Sequence, residues 1–494
     1  MVGGVARTPR ETHLHLELPD TAAPLRHRVA SAIVAAVRTG TLGPGDPLPA
    51  SRALARDLGI ARAAVVDAYD ELAAAGYAVA RPGSGTRVAA GADAAARAGL
   101  SPHVTAAHIS AAPASPPHHD GATDLSPGYP DTGLISERDW RQAWRTAASL
   151  PIPHVSPGPA GHRQLREALS IHLRRTRGIA ADPDEIVIVP GVPSALRALV
   201  AAADLAGRDA AFEDPGYGKA RRALSSAGMR IRPVAVDRDG LDPELLRTSD
   251  STVYCTPAHQ YPMGARMPVA RRAALVSASV AAGRLVIEDD YDGEFRYGVS
   301  TLPALRAIDR GRECVAYVGT ASKILSPALR LAWLIPPVAL LEPVRHALDS
   351  SGESVCAITA CALADFIESG SLTRHLARAA RTYAARRHAF VDALRRHLPD
   401  VELTGVDAGL HVVVRLPDFL DDAVVAAELG RRGVTVPGLS GYRTAAAVPS
   451  GLLCGYARLP ETHADAAAQT IADVIRERRA AVADNSGSCT TTGS

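Results

Sequence analysis

Residues 89–123, AAGADAAARAGLSPHVTAAHISAAPASPPHHDGAT, place the strongest constraint on how this chain can fold. They are rich in Ala, Pro, Ser and His and show no sustained apolar period, which is the composition of a linker. A chain of 494 residues is too long for one ordinary core. The break divides it into two stretches of different hydrophobic pattern. We place a small domain at 20–90, the linker at 91–123, a large domain at 124–482 and a disordered polar tail at 483–494.

In the small domain, PLRHRVASAIVAAVRTGTL (24–42) repeats apolar residues at Val29, Ile33 and Val37 and stops at Gly40. That spacing predicts one amphipathic helix. In GDPLPASRALARDLGIARAAVVDAYDELAAAGY (45–77), Ser51 can cap a helix carrying Leu54 and Leu58, and Gly59 breaks it. A second helix then buries Val65, Tyr69 and Leu72. YAVARPGSGTRVAA (77–90) reads as two short strands about a turn. Three helices and a hairpin make a winged helix-turn-helix, whose second helix presents its N-terminal residues to base edges. Arg62 and Ala63 lie at that end, Ser51 and Arg52 open the preceding helix, and Gly83, Ser84 and Gly85 form the wing turn. The alternative from pattern alone is a helical interaction module with solvated arginines. LPASRALARDLGIAR…AYDELAAAGY…GSGT resembles the GntR-type winged helix over about 65 residues. That family places small hydroxyl residues around the recognition arginine where this chain has Ala61 and Ala63, so fewer side-chain contacts to DNA are expected.

Composition excludes several classes. With 47% hydrophobic and 21% charged residues, no apolar run approaches the roughly 18 residues of a membrane span. MVGGVARTPRETH lacks an apolar h-region, and the six cysteines show no CxxC or paired spacing. A reducing cytoplasm and no metal site are the expectation. A net charge of +2 gives no bulk field toward nucleic acid, so any DNA argument must come from the motif.

The large domain alternates short β-rich runs with helical stretches: EIVIV then SALRALVAAADLA, AAF then GKARRALSSAG, TVYC then ARRAALVSASVAAG, then RLVIEDD. Such alternation predicts an α/β domain with a mainly parallel sheet, whose ligands sit beyond the carboxyl ends of the strands. Unusual residues fall at those ends. Gly191 precedes a helix that Ser194 begins, a place where N–H groups and a hydroxyl could cradle a phosphate. Asp289 and Asp290 close an apolar strand, where an acid is costly without a partner. Lys323 follows CVAYVG within GTASK.

Lys323 and Lys219 are the two lysines among 54 basic residues. A guanidinium stays protonated in a protein, whereas a lysine amine can lose its proton and attack a carbonyl carbon. A Schiff base with an aldehyde cofactor explains a lysine here. Arg330 would pair a phosphate, with Thr320 and Ser322 adding hydroxyls, and an Asp opposite a pyridine nitrogen is the arrangement pyridoxal phosphate uses. From pattern alone Tyr217 and Tyr291 read as core aromatics.

The segments LREALSIHLRRTRGI, EDPGYGKARR, TPAHQYPMG, IEDDYDGEFRY and YVGTASKILSPALRLAWLI resemble fold-type I, pyridoxal phosphate-dependent aminotransferases. Joined to the winged helix in this order, they resemble the MocR subfamily of GntR regulators over nearly the whole chain. The resemblance implies that Lys323 holds pyridoxal 5'-phosphate as an internal aldimine. It also implies that Asp289 meets the pyridine nitrogen, Tyr291 the phenolic oxygen and Tyr217 the ring face. Arg330, Thr320, Ser322, Ser194 and the Gly191–Val192 turn then bind phosphate, and His259 joins the cofactor site. It implies a head-to-tail homodimer as well. Val192 and Pro193 stand where relatives place polar residues, and Leu453 or Cys454 stands where many place an arginine for a substrate carboxylate. Lys219 and Arg443 are either effector contacts or solvated charges. Three functions stay open: a regulator of double-stranded operator DNA that senses pyridoxal phosphate, an amine or an amino acid; an active aminotransferase with an appended domain; and a DNA-binding protein whose large domain only dimerises.

Overall fold

A computed structural model describes residues 14, 16–21, 23–81, 85–97, 123–151, 154–298, 302–405, 408–445 and 449–488. The chain divides into two compact units, Met1–Pro116 and Pro117–Ser494.

In the first unit, the apolar period produces helix α1 (Leu25–Thr39), which buries Val29, Ile33 and Val37 and stops at Gly40. Helices α2 (Ser51–Asp57) and α3 (Arg62–Ala74) follow, with Leu54, Val65, Ala68 and Leu72 buried between them and α1. Burying one such aliphatic side chain is worth about 1.5–3 kcal/mol. The Tyr69 hydroxyl donates to the Pro49 carbonyl at 2.7 Å, which fixes α3 against the turn before α2. Strands β1 (Ala78–Arg81) and β2 (Gly85–Val88) pair antiparallel, Ala78 opposite Val88, and form the wing. Gly83 and Ser84 lie outside the described residues.

Two local expectations need correction. Ser51 does not cap α2: the helix begins one residue earlier than a Ser51 cap requires, its N-cap is Ala50, and the Ser51 hydroxyl instead accepts from Arg62 Nε at 3.3 Å. Residues 92–97, assigned to the linker by composition, form a short helix α4 (Ala92–Arg97) whose Ala92 is buried against α1. Alanine is the strongest helix former, so an Ala-rich run next to a hydrophobic surface folds onto it. Residues 98–122 lie outside the described residues.

The second unit opens with β3 (Thr123–Asp124), α5 (Glu137–Ala148) and α6 (Arg163–Arg177). It then alternates through β4 (Val187–Val189), α7 (Val192–Ala202), β5 (Asp209–Asp214), α8 (Gly218–Ser226), β6 (Arg230–Asp237), β7 (Gly240–Leu241) and β8 (Asp250–Cys255). Next come α9 (Val269–Ala281), β9 (Leu285–Asp290), α10 (Gly311–Cys314), β10 (Val315–Thr320), α11 (Ala321–Ile324) and β11 (Ala332–Ile335). Helices α12 (Leu341–Ser351), α13 (Ala357–Glu368) and α14 (Ser371–His397) lead to a smaller part. That part holds β12 (Leu403–Thr404), β13 (His411–Arg415), α15 (Asp422–Arg431), β14 (Val434–Thr435), β15 (Gly451–Gly455) and α16 (Ala464–Ser488). Helix α16 thus continues past residue 482, where a disordered tail was expected; residues 489–494 lie outside the described residues.

The main sheet has the strand order β4-β11-β10-β9-β8-β5-β6-β7. Strands β10, β9, β8, β5 and β6 run parallel. Strand β11 is antiparallel to both neighbours, and β7 to β6. Residues 321–331 are too few for the crossover that a parallel β10–β11 pair would need. Alternate residues of each strand serve opposite faces: Ala210 and Phe212 pack toward α7 and α8, while Ala211 packs toward α9. A two-sided sheet of this kind explains the continuous apolar runs in the sequence. Among the described residues no helix is long and apolar enough to cross a membrane.

Candidate functional site

The parallel strands bring their carboxyl ends to one edge, and a cavity of about 160 Å³ opens there. Gly191, Val192 and Pro193 reach it after β4, Tyr217 and Lys219 after β5, and Thr256 and Tyr261 after β8. Asp289 and Tyr291 come from the end of β9, and Thr320, Ser322, Lys323 and Arg330 from the β10–β11 connection. Residues scattered over some 140 positions converge because the topology is parallel.

Lys323 sits on α11, one turn past β10. Burial, then the nearby Lys219, pushes its amine down to about 8, while Asp292 and Asp289 pull the other way. The segment before α5 lies close over it. A Cβ on Gly128 would fall 2.8 Å from Lys323 Nζ and push the amine aside, and the φ of +74° at Gly128 strains any other residue there. The Lys323 amine is 5.6 Å from the Tyr129 ring centroid, and the Arg458 guanidinium carbon is 5.0 Å from it.

The paired aspartates at the end of β9 point to opposite faces of the sheet. Asp290 accepts from Arg177 Nε and from the Tyr317 hydroxyl, the latter at 2.8 Å; Arg177 also pairs with Glu294 at 2.7 Å. This buried network belongs to the core. Asp289 faces the cavity. Burial raises its carboxyl to about 7, against a hydrogen bond that Tyr254 donates to Oδ2 at 2.5 Å. Phe212 stacks on Tyr254 at 4.4 Å and holds that donor in place. Asp289 Oδ1 is buried with no hydrogen-bond partner. A buried acceptor left open in this way calls for an N–H donor from a ligand.

At the other end of the cavity, α7 starts at Val192, two residues before the expected Ser194, with Gly191 as N-cap. Pro193 falls in the first turn, where its missing N–H costs nothing. Arg330 has φ +48°, a left-handed conformation rare for a long side chain and retained most often at functional sites. Its Nη2 lies 3.9 Å from where a Gly191 Cβ would stand. Thr320 Oγ1 accepts from the Ser322 N–H at 3.1 Å. Helix N-terminus, guanidinium and two hydroxyls together make a cradle for a phosphate.

Three of the expected site residues are placed elsewhere. The Ser194 hydroxyl is turned to Glu353, which also binds Arg197. His259 stands behind the cavity wall, 3.0 Å from the Tyr291 hydroxyl. Arg443 lines a different cavity, with Asp421, Asp422 and Ser440. Lys219 does line the main one. Leu453 is fully buried among Tyr261, Tyr291, Val413 and Leu439, while Cys454 faces the opposite core. The wall beside Tyr291 is therefore apolar and aromatic, with Tyr261 edge-on to Tyr217, Tyr291 and Tyr442.

In the small unit, Arg52, Arg62, Ala63 and Gly85 are exposed, and Ser51 is half-buried. Arg62 is the first residue of α3, and its bond to Ser51 ties the two helix starts together.

Residues 25–88 match the bacterial regulatory proteins of the gntR family, and residues 123–471 match aminotransferase class I and II. The HTH-type pyridoxine biosynthesis transcriptional regulator PdxR of Corynebacterium glutamicum is 36% identical over 420 residues, covering 85% of this chain and 89% of that protein. The chain belongs to the MocR subfamily of GntR regulators. The probable rhizopine catabolism regulatory protein MocR of Rhizobium meliloti is 31% identical, covering 90% and 92%. An archaeal alanine:glyoxylate aminotransferase matches the large unit at TM-score 0.68 and 26% identity, covering 72% of this chain and 91% of its own. A Pyrococcus horikoshii kynurenine aminotransferase, solved in complex with PMP, matches at TM-score 0.66 and 23% identity, covering 72% and 91%. As a MocR-type protein the chain is an HTH-type transcriptional regulator whose large unit has the fold-type I aminotransferase architecture, and the cofactor of that family is pyridoxal 5'-phosphate. The residues fit it: an open buried carboxylate oxygen at one end, a phosphate cradle at the other, and a lysine amine with a lowered pKa between them.

Proposed function

We propose that this regulator binds a specific operator through its small unit and reads pyridoxal 5'-phosphate, alone or joined by an amine or amino acid, at the Lys323 cavity. The observation that carries the reading is the single cavity wall shared by the buried Lys323 amine, the open Asp289 Oδ1 and the Arg330–Gly191 cradle. Bound pyridoxal phosphate would supply an aldehyde carbon that takes up a primary amine and a ring that withdraws electrons. Arg330, Thr320, Ser322 and the start of α7 would hold its phosphate. Asp289 would hold the ring nitrogen, Tyr217 a ring face and Tyr291 the ring hydroxyl. Lys219 would meet an acidic group of an added effector.

On the DNA side, Arg62 and Ala63 would enter the major groove while Arg52, Ser51 and Gly85 hold backbone phosphates. The protein would work beside the chromosome, in the cytoplasm, as a head-to-tail homodimer. The name of the Corynebacterium relative, a regulator of pyridoxine biosynthesis, supports pyridoxal phosphate itself as the signal. The apolar surroundings of Leu453 support it too, because an α-carboxylate has no guanidinium there. A second reading, an active aminotransferase, is favoured by the convergence of Lys323, Asp289 and Arg330. Borohydride reduction of the loaded protein followed by peptide mapping is expected to place the cofactor mass on Lys323. An adduct elsewhere, or none, overturns the proposal. Operator binding that ignores pyridoxal phosphate, with rapid transamination instead, selects the second reading.

A further inference from the structure

The solvent face of α3 changes character along its length. Arg62, Ala63, Val66, Asp67 and Asp70 are exposed there, while Val65, Ala68, Tyr69 and Leu72 are buried on the other side. Residues three and four apart on a helix are neighbours, so Val66 stands beside both Arg62 and Ala63. Val66 is not placed by packing. The core of the small unit takes Val65, Ala68, Tyr69 and Leu72 from this helix and leaves Val66 37% exposed. A β-branched residue is also a poorer helix former than Ala or a straight-chain polar residue, so nothing in the fold asks for a valine at this position. Among the described residues of the small unit, the other large apolar side chain left exposed is Val79, on the wing opposite Arg87.

The neighbours of Val66 decide what it can meet in a major groove. Arg62 Nε donates to Ser51 Oγ at 3.3 Å, which steadies the guanidinium and leaves its Nη groups for acceptors on a base edge. Ala61, Ala63 and Ala64 carry no hydroxyl or amide, so the side chains around Arg62 add no hydrogen bonds to the bases. The carboxylates of Asp67 and Asp70 repel phosphates, which keeps the later turns of this face off the DNA backbone and leaves the first turn and a half to enter the groove. Within that reach the helix offers one cation and a patch of methyl groups. The apolar mark that distinguishes base pairs in the major groove is the C5-methyl group of thymine. Cβ atoms four residues apart on a helix lie about 5–6 Å from one another, and base pairs follow at about 3.4 Å. A thymine one or two steps from the pair that Arg62 contacts therefore falls against Val66.

We infer that Val66, flanked by Ala63, is a specificity-determining residue that reads the C5-methyl group of a thymine one or two base pairs from the pair contacted by Arg62. The inference rests on the proposed reading of the small unit as the operator-binding part. It adds what that operator must contain: a thymine beside the base pair of Arg62, recognised by apolar contact where no side chain at this end of α3 other than Arg62 reads by hydrogen bond.

The test starts from the operator that the full-length protein, with and without pyridoxal phosphate, selects from a random duplex library. Each thymine in it is replaced in turn by deoxyuridine, which removes one methyl group and keeps every hydrogen-bonding group of the base. At one thymine the affinity is expected to fall about fourfold, the scale of one apolar carbon taken out of water. Val66→Ala should bind the thymine operator more weakly than the wild type and should bind the thymine and deoxyuridine forms equally at that position. Val66→Ile keeps the branched apolar surface and should keep the preference. The Ala variant replaces an exposed residue with a better helix former, so its folding is secure. Deoxyuridine that is neutral at every position, or a full thymine preference that survives in Val66→Ala, overturns the contact. A library that yields no preferred sequence overturns the reading of the small unit instead, and the contact with it.

Discussion

The buried amine of Lys323 should govern how fast the apo-protein captures pyridoxal phosphate. Neutral amine is the reactive form, and Lys323 is pushed down to about 8 from an ordinary 10.5. At pH 7 about one molecule in eleven is then neutral, against about one in three thousand for an ordinary lysine, a gain of roughly 300-fold. Mixing apo-protein with pyridoxal phosphate and following the visible band should give rates that climb about tenfold per pH unit below pH 7.5 and level off above pH 8.5. Lys219→Met removes the like charge that ranks second to burial, so the midpoint should move up. Capture should slow at pH 7 and match the wild type at pH 10, where both amines are neutral. A profile flat from pH 6.5 to 8 refutes a midpoint near 8, and one still climbing tenfold per unit at pH 9.5 refutes the lowered amine altogether. A loss in Lys219→Met that persists at pH 10 assigns Lys219 to direct ligand contact rather than to the lysine proton.

Other outcomes test separate parts of the molecule. Arg177→Met leaves the Asp290 and Glu294 carboxylates buried without their cation and should cost about 3–5 kcal/mol in denaturant unfolding; an unmoved midpoint removes the network from the core. Leu453→Arg forces an unpaired guanidinium among Tyr261, Tyr291 and Val413 and should lower the melting temperature of the full chain, while unchanged melting revives a carboxylate subsite there. Arg62→Ala should weaken operator binding by about 1–3 kcal/mol and relax discrimination at the base pair it reads, measured by titration against operator variants. A loss that is uniform across sequences takes Arg62 off the base edges.

Much of this was readable in the residues. Periods of Val29–Ile33–Val37 and Val65–Tyr69–Leu72 are local, and they gave the small unit's helices; the apolar runs ending in Asp289 and Thr320 gave strands and the edge where a ligand sits. Lys323, Arg330 and Asp289 stood out because each is an unusual residue type for its place. What stayed hidden depends on contacts far apart along the chain. Arg177 meets Asp290 across 113 positions, and Tyr254 meets Asp289 across 35. Gly128 and Tyr129 cover Lys323 from nearly 200 residues upstream. Ser194 turns away from the cavity for the same reason: Glu353, 159 positions on, takes its hydroxyl. His259 was drawn into the cavity by its neighbours in TPAHQYPMG, but the chain turns there so that Tyr261 lines the wall and His259 backs it.

The two aspartates at the end of β9 make cofactor uptake a check on assembly. Side chains along a strand alternate in direction, so a one-residue slip of β9 would take Asp289 from its place at the cavity and Asp290 from its place against Arg177 together. A misregistered sheet thus disturbs a buried ion pair and the carboxylate that faces the cavity at one stroke. Colour in the purified protein would report that this central strand has threaded correctly before any operator is offered.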